Sequence, residues 1–270
     1  MLGAWNLKLM SQTYTTTGLI LRRRDYQEND RLFYIYTKDH GKIELVAKGT
    51  KKITSKLNSY LEPLYLVNLM IAKGKFFDKL ANANVVKSYE NLRNDKDLVG
   101  FFLINYLSET INNLILGQTP QNKKYDLLLE LLDILDAEII KERENKKEWL
   151  LFLSNIFLLK FLNHLGYRPE IQRCLVCHKA ILLTKNIFDF SRGGVICEDC
   201  KRVCLIEDYI KVSDKVIKLL QLAETKNLNY FLNMTISKEE LNEFNRVLQR
   251  LILVNTERPI KSMEFYKVAS

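Results

Sequence analysis

Four of the five cysteines form two Cys-x-x-Cys pairs, Cys174 with Cys177 and Cys197 with Cys200. The 19 residues between the pairs match the spacing of a four-cysteine zinc site. Zinc favours four thiolates in a tetrahedron, and each pair presents two thiolates from one short turn. These cysteines are therefore predicted to bind one zinc ion. The predicted role is structural, because four protein ligands leave no open coordination position for a substrate.

Two neighbouring residues offer alternative ligands. His178 directly follows Cys177 and could replace a cysteine, and Cys204 could compete with Cys200, although burial as a small apolar side chain is the favoured role of Cys204. Two independent thiol pairs without a metal are the other interpretation. A redox-active pair usually lies beside a βαβ pattern, which this sequence lacks. Residues 181–190 can form ribbon strands, and Gly193 and Gly194 can form the turn into the second pair.

The 270-residue chain has a net charge of +9, and its positive charge is concentrated in the first third. Residues 1–80 carry 14 Lys and Arg against 7 Asp and Glu, whereas the remaining 190 carry 27 against 25. This asymmetry favours a polyanionic partner, either nucleic acid or an anionic membrane. A basic face that serves only solubility is the alternative.

The first 85 residues are predicted to form five β-strands. Residues 42–48 alternate between apolar and polar side chains, Leu64–Ala72 is almost wholly apolar, and Asp39–Gly41 suits a hairpin loop. Five antiparallel, meander-like strands in so short a segment indicate a small barrel. An OB-like barrel is the leading interpretation, and an SH3-like barrel remains the alternative.

The candidate DNA contacts are cations at the strand ends and in the loops of this barrel, with aromatic residues between them. The candidates are Arg22, Arg23, Arg24, Arg31, Lys42, Lys48, Lys51, Lys52, Lys56 and Tyr26. OB folds hold single strands with cations along the backbone and aromatic rings that stack on bases. Strand alternation places Arg22 and Arg24 on one face and Arg23 on the other. Tyr26 and Tyr60 are expected to be exposed and Phe33 to be in the core.

From residue 94 onward the apolar spacing becomes helical. Helices are predicted over residues 98–116, 124–141, 146–165, 213–224 and 238–254, and the third should be the most buried, because apolar residues cover nearly all its sides. Ser213 suits an N-cap, Ser237–Glu240 a capping box and Gly166 a C-cap. Nucleotide-binding, serine-hydrolase and zinc-protease motifs are absent, so the protein is not expected to be an enzyme.

Several short segments, taken in order, resemble one protein family. They are Thr17–Arg22, Asp25–Leu32, His40–Ile43, Val46–Gly49, Leu165–Glu170, the two cysteine pairs and Phe190–Val195. Together they resemble the RecO family of bacterial recombination mediators, and the resemblance extends from about Thr13 to Cys200. The last 70 residues share only a helical character with it.

The resemblance implies an α+β protein with an OB-fold nucleic-acid-binding domain in residues 1–85 and a zinc ribbon in residues 169–210. A helical domain would comprise residues 86–168 and 211–270. Members of the family bind single- and double-stranded DNA and anneal complementary strands, without nuclease or ATPase activity. With RecR, and in some lineages RecF, they load RecA onto DNA coated by single-strand-binding protein, whose C-terminal tail they bind. A cytoplasmic, nucleoid-associated bacterial protein is implied.

Other observations bear on localisation and on rival functions. The four metal-spaced cysteines suggest a reducing compartment, no signal peptide is recognised, and Met10 could be the natural start. A zinc-ribbon adaptor that binds proteins without touching DNA is the main rival function. A metal-dependent enzyme would need an open metal site or a carboxylate–histidine constellation, and the sequence offers neither.

Overall fold

A computed structural model describes residues 13–52, 60–120, 122–182, 185–205 and 207–264. The chain divides into two compact units. The first consists of the described residues of Met1–Ser88 and Ile115–Asn122, and the second of those of Tyr89–Leu114 and Lys123–Ser270. Among the described residues, no helix is both long and apolar enough to cross a membrane.

Five strands of the first unit form a closed barrel in the order β1-β2-β3-β5-β4. They are β1 (Thr13–Asp25), β2 (Arg31–Thr37), β3 (Gly41–Ala47), β4 (Leu66–Ala72) and β5 (Asp78–Lys87). The predicted five-stranded barrel is confirmed, and its topology is compatible with an OB-like fold. The prediction of a purely antiparallel meander is wrong. After β3 the chain continues to β4, which pairs with β1 and not with β3. The neighbour of β3 is instead β5, and these two strands are parallel, with Leu45 opposite Asp78.

Alternation along β3 places its apolar side chains inside the barrel, as predicted. Ile43, Leu45 and Ala47 are buried with Phe33 of β2, whereas Glu44 is exposed. Burial of apolar surface is worth about 25 cal/mol per Å², so this interior is the main stabilising element of the barrel.

A short segment after the first long helix returns to the barrel. The Lys42 N–H donates to the carbonyl oxygen of Gly117 (N···O 3.1 Å). Gly41 has φ +64°, and a Cβ at this position would lie 2.5 Å from the carbonyl oxygen of Thr119. Glycine is therefore required at residue 41 both by its backbone conformation and by the close approach of the returning segment.

The second unit contains a helical body built around one central helix. Its helices before the ribbon are α1 (Glu90–Arg93), α2 (Val99–Leu114), α3 (Asn122–Glu138) and α4 (Lys146–His164). The ribbon contains the short helix α5 (Glu198–Val203). After it come α6 (Asp214–Thr225), a 3₁₀ helix (Leu228–Asn233) and α7 (Lys238–Thr256). Helix α4 packs against α2, α6, α7 and the 3₁₀ helix. It is buried from Trp149 to Leu162 except at Lys160, which confirms the prediction from its apolar sides.

The predicted helix boundaries are supported by hydrogen bonds. The Ser213 hydroxyl accepts from the Val216 N–H, and Ser237 and Glu240 form a complete capping box. Gly166, with φ +92°, comes two residues after His164, the last residue of α4. These local signals end or begin helices because they satisfy backbone groups that have no partner within the helix.

A small ribbon is inserted between α4 and α6. It contains β6 (Asn186–Asp189), β7 (Gly194–Ile196), α5 (Glu198–Val203) and β8 (Tyr209–Val212), and the sheet order is β7-β6-β8. Gly193, with φ +72°, lies in the turn between β6 and β7, as the sequence predicted. Strand β8 was not predicted.

Candidate metal centre and nucleic-acid interface

Both Cys-x-x-Cys pairs meet in the ribbon. The Sγ atoms of Cys174, Cys177, Cys197 and Cys200 all lie within 4.8 Å of one another, and those of Cys177 and Cys197 are 3.9 Å apart. Four thiolates at ~2.3 Å from one tetrahedral ion would be separated by ~3.8 Å, so the observed spacing fits a metal ion. Within the described residues, neither His178 nor Cys204 belongs to this cluster.

The backbone prepares Cys174 to act as a thiolate. Burial raises the pKa of its thiol, but hydrogen bonds from the N–H groups of Val176, Cys177 and Cys197 outweigh burial and lower that pKa to about 6. Burial and the neighbouring thiol groups raise the pKa of Cys200. A bound cation would favour the deprotonated form of all four thiols, because thiolates are the metal ligands. The four cysteines are therefore positioned to bind a metal ion.

The ribbon is attached to the helical body by polar contacts on both sides of the cysteines. Arg168 makes a bidentate pair with Glu224 (2.9 and 3.0 Å), and the Gln221 side chain donates to the carbonyl oxygen of Ile171 (2.9 Å). On the far side, Arg250 of α7 pairs with Asp208 (2.7 Å).

Two groups of predicted DNA contacts are brought together at one end of the barrel. The Gly49 N–H donates to the Asp30 carboxylate (2.8 Å), and the Lys51 N–H donates to the carbonyl oxygen of Asn29 (3.1 Å). These bonds hold the residues after β3 against the β1–β2 loop, residues 26–30. Lys48, Lys51 and Lys52 are exposed there, beside the loop that carries Tyr26.

Ion pairs engage several of the predicted cations. Lys51 (2.8 Å) and Arg31 (3.5 Å) both contact the Asp25 carboxylate. The hydrogen bond from Lys51 is the main cause of the lowered pKa of Asp25. Arg23 pairs with Glu62 (2.5 Å).

The remaining predicted contacts lie in different places. Arg22 and Arg24 are exposed, and the Arg24 guanidinium lies over the Tyr34 ring at 5.6 Å. Arg23, which lies between them in the chain, is half-buried. Lys42 lies at the opposite end of β3 from Lys48. Lys56 lies outside the described residues.

The sequence interpretation missed part of a basic and aromatic cleft beside the β1–β2 loop. This first cleft has a volume of about 260 Å³ and is lined by Tyr26, Gln27, Asp30, Val46, Lys48, Lys75, Phe76, Phe77 and Lys79. Tyr26 is 41% exposed and meets the edge of Phe77, with ring centroids 5.6 Å apart. Phe76 is 87% exposed. The available signal was the run Lys73–Lys79, in which three lysines flank two consecutive phenylalanines at the β4–β5 turn.

The first cleft lies between the two loops that OB folds use for oligonucleotides. The β1–β2 loop supplies Tyr26, and the β4–β5 loop, residues 73–77, supplies Lys75, Phe76 and Phe77. Its rings offer stacking surfaces, and its three lysines outnumber its single carboxylate, that of Asp30. This combination suits a single strand with unpaired bases.

Comparisons with known proteins agree with this architecture. A family model described as "Recombination protein O N terminal" matches residues 10–89, and one described as "Recombination protein O C terminal" matches residues 95–264. The protein named DNA repair protein RecO from Caldanaerobacter subterraneus subsp. tengcongensis is 26% identical over 250 residues, which cover 93% of this chain and 96% of the relative. The proteins of the same name from Dehalococcoides mccartyi and Symbiobacterium thermophilum are 28% and 27% identical, and each alignment covers 93% of this chain and, respectively, 93% and 96% of the relative. The second model alone spans more than half of the chain, which therefore belongs to the RecO family of recombination and DNA repair proteins.

Proposed function

We propose that this protein binds single-stranded DNA, anneals complementary strands and helps to load RecA onto DNA coated by single-strand-binding protein. Family membership supports a role in DNA repair and recombination. The observation that carries the finer proposal is the first cleft, where Lys48, Lys75 and Lys79 surround the rings of Tyr26, Phe76 and Phe77. The proposed role has no catalytic step.

The physical basis of this role is charge neutralisation combined with stacking. Lysines that contact phosphates release condensed counterions, and each stacked base contributes about 1–3 kcal/mol. Two complementary strands repel each other, and a cationic surface reduces that repulsion while their bases pair. Binding of this kind does not depend on base sequence.

The test is a fluorescent single-strand binding and annealing assay across a salt series. The salt slope is the slope of the logarithm of the binding constant against the logarithm of the salt concentration. In a variant with Lys48→Ala, Lys75→Ala and Lys79→Ala, we expect the magnitude of this slope to decrease by about two, because each lost phosphate contact on a single strand removes ~0.7. Annealing should slow in parallel.

A matched control separates this surface from net charge. A variant with Lys96→Ala, Lys185→Ala and Lys238→Ala also loses three positive charges, all from exposed positions of the second unit. It should bind and anneal like the parent protein. Equal behaviour of the two triple variants would refute the assignment of DNA binding to the first cleft.

We propose further that the metal is a single structural zinc ion. A cluster of four thiolates is typical of structural zinc sites and also of iron–sulfur centres. The short ribbon with two Cys-x-x-Cys turns and four ligands close enough for one ion favours zinc. Its role would be to fold the ribbon that is joined to α6 and α7.

The proposed partners are RecR, RecF in some lineages, and the C-terminal tail of single-strand-binding protein. A cavity of about 230 Å³ in the helical body suits the end of a polypeptide. Phe152, Val216 and Leu219 are among its apolar lining residues, and Lys218 is exposed beside them. Any C-terminal tail ends in a carboxylate, which Lys218 could bind while an apolar side chain enters the cavity. We propose this cavity, termed the tail cavity, as the tail-binding site.

The rival role as an adaptor without a DNA function makes a different prediction. It requires partner binding that depends on the ribbon and that is insensitive to salt, with no affinity for single strands. The same salt series distinguishes the two roles.

A further inference from the structure

A second cleft lies on the other side of the β4–β5 loop from the first. Its volume is about 390 Å³, and it is lined by Tyr14, His40, Lys42, Ile43, Glu44, Lys73, Phe76, Phe77, Asp78, Gly117 and Gln118. All these residues belong to the first unit. The cleft is larger than the first and contains four aromatic side chains.

The two clefts are neighbours along one strand and share a wall. On β3, Lys42 and Glu44 line the second cleft, whereas Val46, followed by Lys48, lines the first. The six-residue step from Lys42 to Lys48 corresponds to about 20 Å of extended chain. Phe76 and Phe77 line both clefts, and the 87% exposed Phe76 ring marks the boundary between them.

The walls of the second cleft are fixed by contacts of Asp78. Its carboxylate accepts from the Tyr14 hydroxyl (2.9 Å) and from the Gly74 N–H (3.1 Å), and it pairs with Lys73 (3.5 Å). Lys73 lies over the Tyr14 ring at 4.7 Å, and the Tyr14 and His40 rings meet edge to face at 4.9 Å. The β4–β5 loop that carries Phe76 is therefore held in place from the β5 side.

Charge distinguishes the two clefts. The second has two lysines and two carboxylates, with one of those carboxylates, Asp78, paired to one of those lysines. The first has three lysines and one carboxylate. The second cleft thus offers little net attraction for phosphate. Its rings and the Gln118 amide instead offer stacking surfaces and hydrogen bonds that suit a nucleobase.

We propose that the second cleft holds a base of the same single strand as that strand leaves the first cleft, with the Phe76 ring stacked where the strand crosses the β4–β5 loop. This inference rests on the proposed function and extends it, because it divides the barrel into a phosphate-binding part and a base-binding part. The strand would follow the outer face of β3 from Lys48 toward Lys42.

The test compares oligothymidylates of about 4 and about 12 nucleotides, within the ~4–16 nucleotides that one OB fold covers. The double variant His40→Ala with Gln118→Ala should bind the longer strand about tenfold more weakly, as expected for one lost stacking contact, and the shorter strand with unchanged affinity. Its salt slope should equal that of the parent protein. Lys87→Ala, an exposed position on β5 outside both clefts, is the control and should change neither affinity.

The Phe76→Ala variant provides a second test in case the double variant misfolds. Phe76 is exposed, so its replacement removes little packing. It should weaken binding of the longer strand by a similar factor. If the double variant lost affinity equally for both strand lengths, or for neither, the proposed base-binding role of the second cleft would be refuted. Unchanged salt dependence in the triple lysine variant of the first cleft would instead refute the proposed function itself.

Discussion

Asn155 lies fully buried on the central helix α4, where an amide side chain needs partners. Its Oδ1 accepts from the Tyr106 hydroxyl of α2 (2.9 Å), and its amide nitrogen donates to Asn245 of α7 (3.3 Å). Gln249 also donates to Asn245 (3.1 Å). This polar chain joins three helices through the apolar core, and burial raises the pKa of Tyr106, which keeps its hydroxyl protonated as a donor.

We expect Asn155→Ala to lower the free energy of unfolding by about 2–4 kcal/mol. The substitution removes one hydrogen-bond partner each from the buried Tyr106 hydroxyl and the side-chain oxygen of Asn245, and it also removes packed atoms. Urea unfolding followed by circular dichroism at a helical wavelength measures the change. Asn105→Ala on the more accessible side of α2 is the control, and its effect should stay within about 0.5 kcal/mol. An equal effect of both substitutions would show that the buried chain contributes nothing specific.

At the scale of elements, we expect the ribbon to depend on a metal ion held by its four cysteines. Its strands have three or four residues each, and its small apolar cluster includes Ile187, Ile196 and the cysteines themselves. Such a small core gives limited stability on its own, so a metal ion bound by the four cysteines would supply part of the folding free energy.

Removal of the metal should therefore lower the melting temperature of the protein before it affects DNA binding. We expect Cys174→Ser to lose the bound metal and to melt at a lower temperature, whereas Cys204→Ser should retain one equivalent, because Cys204 lies outside the four-cysteine cluster. Metal analysis and thermal unfolding measure both effects. Lowering the pH should also release the metal, since the ligands must be thiolates. A metal-free preparation with four titratable thiols and an unchanged melting temperature would contradict this expectation.

The elements show what the sequence could and could not predict. The spacing within each Cys-x-x-Cys pair, the alternation of Ile43, Leu45 and Ala47, and the capping residues are local patterns. They predicted the ribbon turns, the barrel core and the helix ends. The parallel pairing of β3 with β5 and the contact of Gly117 with Lys42 join distant parts of the chain. Local periodicity contains no information about such contacts. Phe76 and Phe77 were missed for a related reason, since whether an aromatic residue faces a core or a cleft is decided by tertiary structure.

At the scale of the whole molecule, the two proposed binding functions belong to different units. The first cleft consists of residues of the barrel unit, and the tail cavity consists of residues of the helical unit. The concentration of positive charge in residues 1–80 agrees with this division, since the DNA contacts are assigned to the barrel.

We expect a short oligothymidylate and a peptide with the sequence of the tail of single-strand-binding protein to bind simultaneously, each with the affinity it has alone. Fluorescence anisotropy of a labelled peptide, with and without saturating oligonucleotide, measures this. Lys218→Ala and amidation of the peptide's C-terminus should each weaken the peptide and leave the oligonucleotide unaffected, because both remove the same ion pair. Displacement of the peptide by the oligonucleotide would contradict separate sites.

The return of the chain to the barrel has a consequence for biosynthesis. A ribosome finishes β5 well before it makes Ile115–Asn122, the segment whose Gly117 accepts from Lys42. At a synthesis rate of ~5–20 residues per second, the newly made barrel strands lack the hydrogen bond from Lys42 to Gly117 for a few seconds. Helices α1 and α2 are synthesised within that interval. Neither compact unit is therefore the product of one continuous stretch of the message.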